Sequence, residues 1–92
     1  MSYAVYFLTN YKRTVLYVGL TSDLVKRIAQ HKHCEVSGFS KQYNVNIPIY
    51  YELYNNVYEA KSREQALKKW KRAWKEELIA QSNPFWEEIV IT

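Results

Sequence analysis

Five side chains in this sequence have the types needed to cut a phosphodiester: Tyr6, Tyr17, Arg27, His31 and Glu64. Such a hydrolysis requires a water made nucleophilic, charge neutralised on the phosphoryl group, and a stabilised leaving oxygen. A divalent ion meets the last demand and part of the second as a Lewis acid. An Mg²⁺-like ion needs only one or two carboxylates, because waters and phosphate oxygens complete its octahedron. Glu64 is suited to that task, with Arg63 and the lysines after it close by to hold a substrate. Arg27 offers permanent, bidentate donation to a phosphate. His31 can shuttle a proton near neutral pH. Tyr6 and Tyr17 can each hold the attacking water, but a free phenol has a pKa of ~10 and needs a neighbouring cation to act as a base.

Each residue also has a blander reading. Glu64 could be a surface acid in helical ion pairs with Lys61 or Lys68, and Arg27 an ordinary exposed arginine. His31 could be a partly buried neighbour of Ile28, and the tyrosines could be strand packing in a chain with nine of them. The chemical reading gains weight only if the elements bring all five to one cleft.

Those elements follow from the patterning. Residues 3–8 alternate and are rich in aromatic and β-branched side chains, which predicts a strand, and residues 15–18 repeat the pattern. The polar segment 10–14 between them predicts a turn, so the two form an antiparallel hairpin. Alternation puts Ala4, Tyr6 and Leu8 on one face, and Tyr17 with Gly19 on one face of the second strand. Thr21, Ser22 and Asp23 form a capping cluster for a helix from Leu24 to about residue 33, with Arg27 and His31 one turn apart beside its apolar stripe. Residues 35–46 read as a loop or short irregular helix. Residues 47–54 predict a third strand, with Pro48 tolerated near its start. From about residue 59 to 81 the periodicity is helical, with Ala60, Leu67, Trp70, Trp74, Leu78 and Gln81 on one face. A straight helix of that length would span ~33 Å, so a break is expected between residues 70 and 73. Pro84 follows its end, and Phe85 and Trp86 are expected to fold back onto the core. The result is an α+β fold: a small three-stranded antiparallel or mixed sheet flanked by helices, in the order ββ-α-β-α-α.

The length of 92 residues accommodates one domain, residues 1–92. Aromatic residues at 16% must carry much of so small a core. By the same reasoning Trp70, Trp74 and Trp86 are expected to be mostly core. No apolar run approaches the ~20 residues that span a bilayer, no leader is expected at the N-terminus, and a lone Cys34 suits a reducing cytoplasm. The net charge is +4 and the pI near 9.2. More telling, Lys68, Lys69, Lys71, Arg72 and Lys75 fall within eight residues that contain no acid. Such a run attracts a polyanion, nucleic acid being the usual case; the bland alternative is a solvated helix face.

Taken together, these residues resemble the GIY-YIG nuclease domain of the short, single-domain bacterial type, similar to the nuclease domain of excision-repair incision subunits. The first motif stands here as Ala4-Val5-Tyr6 and the second as Tyr17-Val18-Gly19. Thr21 to Leu24, Arg27 and His31 follow at fitting distances. Gly38 to Tyr43, Tyr50-Tyr51-Glu52, Arg63 to Trp70 and Asn83 to Trp86 resemble the compact members. Departures are mild: Ala4 replaces the opening glycine, and Val5 and Val18 the middle isoleucines. The resemblance implies a metal-dependent endonuclease acting on DNA, with RNA left open, through one Mg²⁺ or Mn²⁺ held by Glu64. It implies attack by an ordered water with Tyr6 as base or positioner and Tyr17 beside it, Arg27 gripping the phosphate, and His31 at a position where relatives carry histidine or tyrosine. Nucleic-acid contacts are expected from Arg27, Lys41, Lys68, Lys69, Lys71 and Arg72, and Asn83 is a candidate for a late asparagine of the family. With no recognition domain in these residues, cutting directed by DNA structure or damage, as in repair, is expected rather than by sequence, and specificity could come from a partner protein or a homodimer. Two other readings stand beside it: a non-catalytic nucleic-acid-binding module that keeps the fold, and an interaction domain using the tryptophans.

Overall fold

The computed structural model describes residues 2–33 and 44–91. Three strands, β1 (Tyr3–Thr9), β2 (Leu16–Thr21) and β3 (Ile47–Tyr54), form one antiparallel sheet in the order β2-β1-β3. Among the described residues three helices accompany it: α1 (Leu24–Lys32), α2 (Val57–Lys69) and α3 (Arg72–Ala80). The α+β architecture and the hairpin agree with the sequence reading, and the sheet is wholly antiparallel. Lys41 and the other residues of 34–43 lie outside the described residues.

The hairpin turn is built by Asn10, whose side-chain oxygen accepts from the backbone N–H of Thr14 at 2.8 Å and of Val15 at 3.1 Å. Arg13 takes the left-handed conformation there, at φ 58°. Helix α1 starts on Asp23, whose Oδ1 accepts from the Lys26 N–H at 3.1 Å. Helix α2 begins two residues before its expected start, because Asn56 caps it by accepting from the Tyr58 N–H at 2.7 Å.

The sheet separates two apolar clusters. On one face Val5, Phe7, Val18 and Ile49 meet Ala60 and Leu67 of α2 and Ile79 of α3, and α2 lies against all three strands. On the other face Tyr6 and Leu8 meet Ile28 of α1 and Val45. The expected helix break falls at Trp70, which adopts an extended ψ of 148° before α3 starts. That break corrects the tryptophan expectation: restarting the helix rotates Trp74 out of the stripe, leaving it 52% exposed, while Trp70 and Trp86 remain packed on the core. Trp86 folds back as expected, whereas Phe85 is 82% exposed.

One polar clasp ties α2 to β3. Arg63 donates to both oxygens of Glu52 at 2.9 and 3.0 Å, and the hydroxyls of Tyr50 and Tyr54 donate to the same carboxylate. Burial alone would raise the Glu52 carboxyl, but these donors and the guanidinium charge hold it below its ordinary value. Glu52→Ala strands three donors in a half-buried place and is expected to cost about 2 kcal/mol, a fall of roughly 10 °C in the thermal midpoint for a domain of this size. A circular-dichroism melt reads it.

Candidate active site

The site is assembled around one buried hydroxyl. Tyr6, on central strand β1, is 1% exposed. The hairpin register sets it opposite Gly19 of edge strand β2, with Tyr17 opposite the next same-face residue, Leu8. A Cβ on Gly19 would lie 2.9 Å from Tyr6 Cε1 and closer still to Cζ and the hydroxyl. Only glycine therefore lets the phenol lie across β2, with its hydroxyl over the edge strand. The Tyr17 ring is its neighbour at 6.4 Å between centroids.

Helix α1 supplies the next pair. His31 Nε2 is 3.2 Å from the Tyr6 hydroxyl, and its ring lies 5.6 Å from that of Tyr17. Arg27, one turn earlier, brings its guanidinium charge to bear on the same hydroxyl. Arg27 also lines an open polar cleft of about 310 Å³ with Thr21, Ser22, Asp23, Lys26 and Gln30. From α2, the Glu64 carboxylate comes within electrostatic reach of Tyr6. Its side chain is 16% exposed and pairs with Lys68 at 3.0 Å, the helical ion pair that the bland reading anticipated. The five candidates thus do come together, from two strands and two helices.

Electrostatics assign these groups different states. Burial, the adjoining Tyr17 and Glu64 push the Tyr6 phenol far above its ordinary value, outweighing the pull of Arg27. Tyr6 is therefore a neutral hydroxyl around pH 7. Burial first, and the Arg27 charge second, hold His31 below 6.5. A neutral imidazole at that distance can accept the Tyr6 proton at Nε2. The same shift sets a pH dependence. The unfolded chain binds the His31 proton more tightly, so stability should be flat above pH ~7 and decline as pH falls below 6.5. Melts of His31→Gln should lack that first decline.

As a metal site the arrangement has one carboxylate. Among the described residues no group of three or more His, Cys, Asp or Glu gathers, so no closed cage of the zinc or calcium kind is built there. A single carboxylate in a site shared with an arginine does fit a hard octahedral ion that keeps most of its waters.

Other candidates are placed elsewhere. Asn83 Nδ2 donates to the Ile49 and Glu87 carbonyls at 2.9 and 2.8 Å, and its Oδ1 accepts from the Glu87 N–H at 3.0 Å. Its amide pins the C-terminal segment to β3, the edge opposite β2. Arg63, expected to help hold substrate, is committed instead to Glu52 and lies 5.0 Å from the Trp70 ring. Lys68 is bound to Glu64, Lys71 lies 5.7 Å from the Trp74 ring, and Arg72 pairs with Glu76 at 2.9 Å. Lys69 is exposed. Sequence patterning missed Gly19 as the seat of the phenol; its place across the hairpin from Tyr6 is the signal that could have found it.

Comparison with known proteins bears on the family and the fold. The GIY-YIG catalytic domain matches residues 2–77. Among solved structures, the solution NMR structure of the UPF0213 protein BH0048 from Bacillus halodurans is similar, with a TM-score of 0.61 at 23% identity. The match covers 95% of this chain and 92% of that one, and at that identity it speaks for the fold. No curated protein matches. Because the family match runs through both motif strands, α1, β3 and α2, the chain belongs to the GIY-YIG family.

Proposed function

We propose that this protein is an endonuclease that hydrolyses DNA phosphodiesters with one Mg²⁺ or Mn²⁺ ion on Glu64, selecting its substrate by structure or damage rather than sequence. Membership of a catalytic-domain family makes nuclease activity the general expectation. The observation that carries the specific reading is the gathering of Arg27, His31, Tyr17 and Glu64 about the Tyr6 hydroxyl. A divalent ion, when bound, supplies Lewis acidity to the phosphoryl group.

The chain's own residues do the rest. Arg27 grips the scissile phosphate and stabilises the charge that grows in the transition state. Tyr6 is too weak an acid to wait as a phenolate, so it acts as a relay. Its oxygen takes a proton from the attacking water as its own proton passes to His31 Nε2, leaving a neutral phenol and an imidazolium. Tyr17 walls the phenol and holds its orientation. Lys68 and Lys69 attract the backbone.

The test is nicking of supercoiled plasmid and branched DNA by purified protein with Mg²⁺ or Mn²⁺. Nicking that disappears with EDTA and with Arg27→Ala supports the reading. Tight DNA binding with no nicking of any substrate would favour the binding module instead.

A further inference from the structure

A second basic cluster sits away from the Tyr6 hydroxyl, where the hairpin turn meets the start of α3. Arg72 Nη1 donates to the Thr14 carbonyl at 2.8 Å, and its guanidinium lies 6.0 Å from the Trp86 ring. Arg13 Nε donates to the Trp86 carbonyl at 3.3 Å, which draws a second guanidinium to the same place. Lys75 and Arg72 line a cleft of about 320 Å³ with Thr14, Val15 and Leu16. Lys12 is exposed on the adjoining turn. Glu76 is paired with Arg72, and Lys75 has no ion-pair carboxylate among the described residues. Burial and the Arg72 charge make its ammonium easier to deprotonate. A half-buried cation held beside the Arg72 guanidinium is electrostatically costly, and an anion would relieve that cost.

The location matters as much as the charge. Along edge strand β2 the chain runs from the cleft at Thr14–Leu16, through Tyr17, to Gly19 beneath Tyr6. Five residues of strand span ~17 Å. Helix α2 follows the same line from Glu64, through Lys68, to the start of α3. Two independent elements therefore lead from the candidate reacting centre to the cleft. Phosphates on one strand advance ~3.4 Å along a duplex axis, so ~17 Å corresponds to roughly five nucleotides.

We propose that the cleft lined by Lys75 and Arg72 is an anchor for a non-reacting backbone phosphate of the same DNA, roughly five nucleotides from the cut. This rests on the nuclease reading and deepens it: the β2 edge is the path of the substrate. The anchor supplies position and affinity without reading bases, as phosphate contacts do.

The test is fluorescence anisotropy of a labelled duplex against increasing salt, without divalent metal. Lys75→Met keeps the aliphatic stem in its half-buried place and removes the charge, so the fold should survive. It is expected to weaken binding on unrelated sequences alike and to reduce the salt slope by ~0.9. Lys75→Arg should restore both, which a packing role for the stem would not require. If Lys75→Met binds with unchanged affinity and slope while the wild type binds DNA, the anchor is wrong and the nuclease reading stands. If the wild type neither binds nor nicks DNA, the nuclease reading fails and the anchor goes with it.

Discussion

Glu64→Ala is expected to lower DNA nicking by at least about 10³-fold, or ~4 kcal/mol of transition-state stabilisation, while DNA binding without metal persists. The reason is local. Glu64 is the carboxylate that acts on the Tyr6 hydroxyl, and its other partner is the half-exposed ammonium of Lys68. In the proposed mechanism, removing it takes away the carboxylate that would hold the divalent ion near Tyr6. It removes a mostly covered carboxylate whose ion-pair partner is a half-exposed lysine, so a cost of about 1 kcal/mol and a fall of no more than about 8 °C in melting temperature are expected. Loss of nicking with an intact fold and retained DNA affinity separates chemistry from binding. A Glu64→Ala variant that nicks at the wild-type rate would move the acid elsewhere.

The second large effect comes from one methyl group. Gly19→Ala puts a Cβ into the Tyr6 ring and hydroxyl. Tyr6 is buried among Leu8, Ile28 and Val45 and cannot swing away freely. Overpacking of this kind costs about 1–3 kcal/mol. The chemical penalty is expected to be of similar size. Displacing the hydroxyl by ~1 Å from His31 and Arg27 should cost about 10²-fold in nicking. A pairing with Tyr6→Phe is informative, because the ring collision remains and the hydroxyl is already gone. The double variant should then be scarcely less active than Tyr6→Phe alone. Wild-type melting and nicking in Gly19→Ala would mean that Tyr6 does not lie across β2.

Much of this was legible in the sequence where the causes are local. Period-two alternation put Tyr6 and Tyr17 on one face, and four-residue spacing put Arg27 and His31 on one side of α1. Which way α2 is rotated was not legible. Arg63 and Glu64 are adjacent, yet one turns to Glu52 on β3 and the other towards Tyr6, because burial of Ala60 and Leu67 sets the helix phase. The early start of α2 was missed because Val57 and Tyr58 favour strands, and the Asn56 cap overrides that preference. Trp74 was misplaced because a continuous stripe presumes a continuous helix, and the extended Trp70 interrupts it. The second basic cluster depends on contacts between Thr14 and Arg72, far apart in sequence, which no local pattern encodes.

The most direct measurement is a crystal structure of the protein with a short DNA duplex and Mn²⁺, located by anomalous scattering. The expected result is one Mn²⁺ with a Glu64 oxygen as its protein ligand, a backbone phosphate on Arg27, and a water between that phosphate and the Tyr6 hydroxyl. A metal bound elsewhere, with DNA lying across the β3 edge and away from Tyr6, would contradict it.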